Sequence, residues 1–237
     1  MRRLTFFTVG LFVVMSLPNL LCAPFVALGQ NGNASAIAPP PRPMPTPSKV
    51  DQGRIEGSTY INEQFGFSFS APATWSVHDR AGLDAIGVAV RKVFDDEKDQ
   101  KVHASVEGSI DRTTVLFSAS KFPLGTSGGF NAILLCTAER IPTAIITTPR
   151  EYFNLILKTL NRTEVVSVEV LEPFQIIRIG TTDFGSATLK VSLKVGPVIE
   201  KLLIAIRGLY AIAFAYSYVD NDDAATFDEV IKTIKTK

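Results

Sequence analysis

The most regular hydrophobic pattern of the chain lies near its C-terminus, in residues 209–219. Alternate positions carry large side chains, and the positions between them carry small ones. The large side chains belong to Tyr210, Ile212, Phe214, Tyr216 and Tyr218, and the small ones belong mainly to Ala211, Ala213, Ala215 and Ser217. Strand side chains alternate between the two faces of a sheet. Because both faces are almost uncharged, the pattern predicts a central strand that is covered on both sides.

Further segments predict an antiparallel sheet around this strand. Residues 59–69 indicate a hairpin in which Phe65, Phe67 and Phe69 share one face, and Trp75 is expected to close the edge of the core. The other predicted strands are residues 113–122, 130–139, 165–180 with an interruption at Glu172-Pro173, 187–195 and 198–207. A helix is the alternative for residues 198–207, because that segment is long and rich in leucine and isoleucine.

Helical periodicity appears in two segments. Residues 149–161 place five apolar side chains on one face, and Thr148 with Pro149 gives a typical helix start. Residues 224–236 repeat the pattern, and the preceding acidic cluster, residues 220–223, is expected to cap that helix.

Composition narrows the class of protein. The 237 residues are 46% hydrophobic and 20% charged, which suits one sizeable core. A formal charge of +1 gives no basic footprint for nucleic acid. Two cysteines and two histidines are too few for a disulfide framework or a zinc cluster.

The N-terminus is typical of an exported protein. Arg2 and Arg3 precede an uncharged apolar run, and small residues follow, so residues 1–29 are predicted to be a cleaved signal peptide. A retained membrane anchor is the alternative, and Cys22 raises a second one, lipidation, although Leu20-Leu21 before it fits that poorly. Cleavage would change the formal charge from +1 to −1. Residues 30–57 predict a proline-rich disordered tether, and residues 58–237 a single domain.

Few residues of the sequence are candidates for a functional site. Cys136 lies in an apolar run and is expected to be a buried, unreactive side chain. The acidic stretches 95–99 and 220–223 could hold a cation, but they lack the spacing of a calcium loop. The glycine-rich segment 125–129 lacks the lysine of a phosphate loop and is expected to be a connector. The row Tyr210, Tyr216 and Tyr218 either packs in the core or lines a ligand groove, and it is the candidate binding site.

Three features together resemble the PsbP-like family. They are the segment 60–75 (YINEQFGFSFSAPATW), Gly129-Phe130-Asn131 before an inner strand, and the terminal strand–acid–helix unit. The resemblance implies an α+β fold, an α/β/α sandwich in which an antiparallel sheet carries helices on both faces. It also implies a role in binding or assembly, and it is the only indication of calcium or another divalent cation as cofactor. His78 and His103 match no ligand motif.

Two classes of function therefore remain. The first is a non-catalytic extracytoplasmic (periplasmic or secreted) binding or assembly domain, whose partner is an envelope or membrane-complex protein. The second is a small-ligand or cation-binding protein that uses a cleft beside the sheet. No Gly-x-Ser-x-Gly or His-Glu-x-x-His pattern occurs, and we expect no enzyme activity. Membrane contact is expected only with a retained signal or a lipidated Cys22.

Overall fold

A computed structural model describes residues 50–95, 97–126, 130–142, 145–193, 196–220 and 223–237. The predicted signal peptide, Cys22 and most of the predicted tether lie outside these residues. Among the helices of the described ranges, none combines the length and the hydropathy needed to cross a membrane.

The centre of the structure is a seven-stranded sheet in which every neighbouring pair of strands is antiparallel. In spatial order the strands are β4 (Ser76–Val77), β5 (Thr113–Ser120), β6 (Ile133–Arg140), β10 (Tyr210–Tyr218), β9 (Gly196–Arg207), β8 (Thr182–Leu193) and β7 (Ser167–Ile179). The central position of β10 confirms the prediction from its two uncharged faces. Residues 198–207, for which a helix was the alternative, are part of strand β9.

A second, four-stranded sheet lies against the first. Its order is β1 (Arg54–Glu56), β2 (Thr59–Asn62), β3 (Phe67–Ser70) and β11 (Lys235–Thr236). The pairing of β2 with β3 confirms the predicted hairpin. Strand β1 lies within residues 30–57, so regular structure begins before the predicted domain boundary at residue 58. Strand β11 replaces the predicted end of the last helix, because Lys235 and Thr236 pair with β3.

Helices cover both faces of the seven-stranded sheet, which confirms the expected α+β class. On one face lie α1 (Arg80–Phe94), α2 (Gln100–Arg112) and α3 (Pro149–Leu160), whose apolar residues pack with Ala211, Ala213 and Ala215 of β10. On the other face lie α4 (Ala224–Thr233) and the small sheet, which pack on the aromatic side of β10. The small side chains of β10 leave room for the helices, as the alternation predicted.

The predicted details of the helices and the core are partly confirmed. Thr148 caps α3 through a reciprocal capping box with Glu151. Trp75 packs against Tyr216 at the edge of the aromatic core, with ring centroids 5.7 Å apart. Cys136 has no exposed surface, and burial raises the pKa of its thiol.

Residues 149–161 form the predicted helix as α3, and two further helices, α1 and α2, precede it in the chain. Asp223 of the acidic cluster occupies the N-cap position of α4, but its side chain makes no capping hydrogen bond and pairs with Lys121 at 2.7 Å. The expected side-chain cap is therefore not formed by Asp223.

Candidate functional site: the cleft beside strand β5

An open cleft of about 360 Å³ lies between α1 and the first half of β5. Its floor is formed by residues 113–115, and the chain segment that enters the domain at Val50 borders it. The remaining lining residues are Gln52, Arg80, Leu83, Asp84, Gly87, Val88, Arg91 and Ile110. The cleft therefore brings together the edge of the sheet, one face of α1 and residues that precede β1.

The cleft exists because β4 is too short to cover β5. The two residues of β4 pair only with Ala119 and Ser120, and the N–H of His78 donates to the carbonyl of Ser118 at 3.0 Å. Within the described residues, no strand pairs with the outer edge of residues 113–117. Unpaired strand edges are templates for another extended chain, since their N–H and C=O groups are regularly spaced. The cleft thus holds backbone groups that are ready to bind an extended segment.

Charged side chains border the cleft, but most are paired with each other. Nη2 of Arg80 lies 2.9 Å from Oδ1 of Asp84, one turn further along α1. Arg91 joins α1 to α2 through Glu107 and Asp111, and its hydrogen bond to Asp111 raises its already high pKa. Val88 offers an apolar surface beside them, with 55% of the residue exposed. The surface of the cleft is therefore a mixture of apolar groups and paired charges, which suits a polypeptide better than a strongly charged ligand.

The opposite edge of the sheet is different. Strand β7 carries Glu172 and Pro173 at its centre, and its pairing with β8 shifts register on both sides of Glu172. Charges, proline and bulges are the usual devices that prevent an edge strand from pairing with another chain. Edge β7 is protected in this way, whereas the open half of β5 has neither a proline nor a charged residue in residues 113–117.

The buried side chain of His78 lies at the end of β5 that pairs with β4. Nε2 of His78 lies 2.8 Å from the hydroxyl of Ser120, and Nδ1 lies 2.9 Å from the hydroxyl of Ser118. Because Ser120 donates its proton to the carbonyl of Phe122, it must accept from Nε2–H, and Ser118 then donates to Nδ1. Burial lowers the pKa of His78, which keeps the ring neutral.

This Ser118–His78 contact has the geometry of a nucleophile and its base, but Ser118 has no exposed surface. The contact also holds β4 against β5 beneath the start of α1, where Gly82 leaves room for the ring. The sequence around His78 indicates no role for this residue. The alternating serines of β5, at positions 118 and 120, are the only sequence signal for this cluster, and they are also typical of an exposed strand face.

Two glutamates are buried on the sheet face beneath α1–α3. Glu139 of β6 accepts hydrogen bonds from Ser109 (2.7 Å), Arg112 (3.3 Å) and Tyr152 (2.6 Å). Burial is the main cause that raises the pKa of Glu139 to about 7, against the opposing effect of these donors. The contacts tie α2 and α3 to the sheet through one carboxyl group.

Glu200 of β9 is the second buried acid. Its Oε1 accepts from Ser217 at 3.1 Å, and no described protein atom forms a hydrogen bond with its Oε2. Burial raises the pKa of the Glu200 carboxyl group well above its usual range. Neither Glu139 nor Glu200 is marked by a local sequence pattern that predicts its burial.

The predicted tyrosine row lies on the opposite face of the sheet from the helices α1–α3. Tyr216 and Tyr218 are buried, and their rings stack at a centroid distance of 5.4 Å. The Tyr216 hydroxyl donates to the carbonyl of Asp223, and its ring stacks on Phe227 of α4. Tyr210 is only half-buried and contacts Phe65. Tyr216 therefore packs beneath α4, and ligand binding by the three tyrosines stays a prediction.

The acidic stretches do not converge on a metal site in the described residues, where no group of three or more candidate ligands lies close together. Asp99 caps α2, and Glu97 is buried and accepts from the N–H groups of Asp99 and Glu164. Asp96, Asn221 and Asp222 lie outside the described residues, as do residues 127–129 of the glycine-rich segment.

Comparison with known proteins gives structural neighbours only. No family model matches the sequence, and no curated protein matches it. The solution structure of cyanobacterial PsbP (CyanoP) from Synechocystis sp. PCC 6803 is similar over 81% of this chain and 100% of that chain, with 13% identity and a TM-score of 0.48. The crystal structure of the Saccharomyces cerevisiae Ran-binding protein Mog1p is similar over 77% of this chain and 96% of that one, with 8% identity and a TM-score of 0.40.

A crystal structure from Bacteroides thetaiotaomicron VPI-5482 is also similar, with 14% identity and a TM-score of 0.37, over 77% of this chain and 49% of that chain. The first of these neighbours has the PsbP-like fold that the sequence resemblance implied. At these identities the similarity concerns the fold alone.

Proposed function

We propose that the chain is a non-catalytic binding domain that acts outside the cytoplasm, and that the cleft between α1 and β5 is its contact surface for a partner protein. The observation that carries this proposal is the unpaired edge of residues 113–115 at the floor of the cleft. A partner would add an extended segment to this edge, which is a recurring mode of peptide recognition. The matching partner is a protein of the cell envelope or of a membrane complex.

Several features support this choice of surface. The edge is short, so the added segment would be held by residues 113–115 of β5. Val88 and Leu83 provide an apolar wall against which side chains of that segment would pack. The paired charges Arg80–Asp84 lie beside the wall and would set the direction or register of the segment. Strand β7, the other edge, carries protection that would disfavour the same contact.

The experiment is affinity capture from the envelope fraction after chemical crosslinking. The bait is the mature chain, and the test variant is Val88→Glu, which places a charge on the apolar wall without disturbing the core. Leu209→Glu is the matched control, because Leu209 is similarly exposed, at 49%, in the turn between β9 and β10. We expect Val88→Glu to lose a partner that the unmodified chain and Leu209→Glu both retain. Equal recovery with all three baits would refute the cleft as the contact surface.

Export is part of this proposal. Arg2 and Arg3 before an uncharged apolar run support it. The intact mass of the protein from its native host shows directly whether the signal peptide is cleaved. We expect a chain that starts near residues 28–31. A retained N-terminus, or a lipid on Cys22, would place the domain at a membrane surface instead.

Small-ligand or cation binding is the second candidate, and the volume of the cleft favours it. A cleft of 360 Å³ lies within the range of about 300–1,000 Å³ that is typical of small-molecule sites. A thermal-shift screen with calcium, manganese, zinc and small apolar ligands tests it, because a ligand that binds the native state raises its apparent stability. A ligand whose effect is lost in Val88→Glu would support the cleft. An effect lost only when Tyr210 is substituted would support the tyrosine row.

A further inference from the structure

The side chain of His78 joins the short strand β4 to β5. Strand β4 has only two residues, so it forms few backbone hydrogen bonds of its own. His78 follows it directly, and its two ring nitrogens contact the hydroxyls of Ser120 at 2.8 Å and Ser118 at 2.9 Å. Both serines lie on β5 and have no exposed surface. The attachment of β4 therefore depends on a buried ring that can take up a proton.

The residues on either side of this contact are fixed elsewhere. Trp75, just before β4, packs against Tyr216 of β10. Asp79, which follows the contact, caps α1 through its side chain. Residues 76–78 therefore connect two anchored points, and they can move away from β5 without disturbing either anchor.

The hydrogen bonds of His78 are complete only while the ring is neutral. Ser120 donates to the carbonyl of Phe122, so Nε2 carries the ring proton and Nδ1 accepts from Ser118. A second proton, on Nδ1, would face the hydroxyl proton of Ser118. If that hydroxyl turned to accept, its own proton would have no acceptor, because Nδ1 is its only hydrogen-bond partner in the described part of the chain. A buried donor without an acceptor is costly, so the charged ring does not fit this pocket.

The charged groups around the ring do not remove this cost. The charge of Asp79 favours a protonated His78, but burial of the ring has the larger and opposite effect. The pKa of His78 therefore lies below its usual value. The charged residues that follow Asp79 on α1 and Ser120 on β5 are already paired, Arg80 with Asp84 and Lys121 with Asp223.

We propose that His78 is a pH-sensitive latch, and that protonation of its ring releases β4 from β5. The charged ring leaves its pocket for water, and residues 76–78 move with it between their two anchors. Release extends the open edge of β5 beyond residues 113–117, as far as Ser120. This proposal goes beyond the proposed function, because the release takes place whether or not a partner binds at the cleft.

Residue-resolved amide hydrogen exchange, on the chain purified from its native host, tests the proposal. The readout is the protection of the backbone N–H of His78, which donates to the carbonyl of Ser118 while β4 is attached. The test variant His78→Gln keeps one donor and one acceptor at this position but cannot take up a proton. The matched control His103→Gln removes the other histidine of the chain and leaves His78 as the only one.

We expect the protection factor of the His78 amide to fall about tenfold between about pH 7.5 and about pH 5.5. The reason is that a histidine exposed to water has a pKa near its usual value of about 6.5, so acid stabilises the released state. The control His103→Gln should show the same fall. His78→Gln should have the same protection at both pH values. Amides of β10 should stay protected in all three chains, which shows that each keeps its fold.

Other results would overturn the proposal. Protection of the His78 amide that is independent of pH in the unmodified chain would show that there is no latch, and an equal fall in His78→Gln would assign the change to another group. If His78→Gln does not fold, NMR titration of the ring in His103→Gln decides. A ring that takes up a proton while its amide stays protected would show that the charged ring remains in the pocket. The capture experiment with Val88→Glu decides separately whether a partner uses the cleft.

Discussion

Substitution of Glu139 by glutamine should change how the stability of the domain depends on pH. In the native chain the carboxyl group is buried on β6 and contacts Ser109, Arg112 and Tyr152. Burial raises its pKa from 4.5 to about 7, so the folded chain holds this proton to a higher pH than the unfolded chain does. The free energy of unfolding should therefore fall as the pH rises from about 4.5 to about 7, and this contribution should be constant above that.

The size of the effect follows from the two pKa values. Each pH unit over which the folded chain binds one extra proton changes the free energy of unfolding by about 1.4 kcal/mol. The interval from 4.5 to about 7 then corresponds to about 3 kcal/mol. Between pH 5 and pH 8 most of it, about 2–3 kcal/mol, should be lost. Glutamine cannot ionise, so Glu139→Gln should lack this loss, although the mismatch of its amide with the Tyr152 hydroxyl costs about 1 kcal/mol at every pH.

Urea unfolding at pH 5 and pH 8 measures the difference. The stability of Glu139→Gln relative to the unmodified chain should rise by about 2–3 kcal/mol between the two pH values. Glu200 has a raised pKa for the same reason, but it is present in both chains and cancels. Glu164→Gln, at an exposed position, is the control and should follow the unmodified chain. If the unmodified chain and Glu139→Gln show the same pH dependence, then Glu139 does not titrate as its burial requires.

Three further predictions concern stability alone. Cys136→Ser should lose about 1–3 kcal/mol, because a hydroxyl without a partner replaces a buried thiol, and a thiol reagent should label the unmodified chain only after unfolding. Thr148→Ala should lose about 1 kcal/mol in urea unfolding, because it removes the capping box of α3. Gly53 and Gly57 both have positive φ angles, of 70° and 61°, but an added Cβ lies 2.5 Å from the carbonyl oxygen of Ile61 only at Gly53. Gly53→Ala should therefore lower Tm more than Gly57→Ala, and an equal effect of the two would contradict the close approach.

Most strands of the sheet were predictable from the sequence, because they are either continuous apolar runs or alternate between large and small or polar residues. Strand β10 is the best example, since aromatic and small residues mark its two faces without an interruption. The aromatic face of β10 correctly predicted residues of the core. It did not show whether the tyrosines of this face pack in the core or bind a ligand. That distinction depends on α4 and Trp75, which reach the row through the tertiary fold and not through local sequence.

Helices α1 and α2 were not predicted, and their residues explain why. The buried face of α1 carries Leu83, Ile86, Val90 and Phe94 at helical spacing, but Gly82 and Gly87 lower the helix propensity of its first half. The buried face of α2 includes Ser105 and Ser109, which interrupt its hydrophobic pattern.

The burial of Glu139 and Glu200 beneath the helices α1–α3 was not predicted for a related reason. Glu139 ends an apolar run and Glu200 is followed by a lysine, so both have the local sequence of exposed residues. Their burial depends on strands and helices that are distant in the sequence, such as β10 and α2. The open edge of β5 was also not predictable, because it results from the shortness of β4, which only the pairing of the strands reveals.

Site-specific photo-crosslinking in the native envelope tests the central claim most directly. A photoreactive side chain is placed at position 88, beside the open edge of β5, or at position 176 on the protected edge β7, where Ile176 is similarly exposed at 51%. Mass spectrometry of the adducts identifies the crosslinked segment. We predict a discrete adduct with an extended segment of a partner protein from position 88 and none from position 176. A partner that crosslinks from position 176, with none from position 88, would contradict the assignment of the β5 cleft as the binding surface.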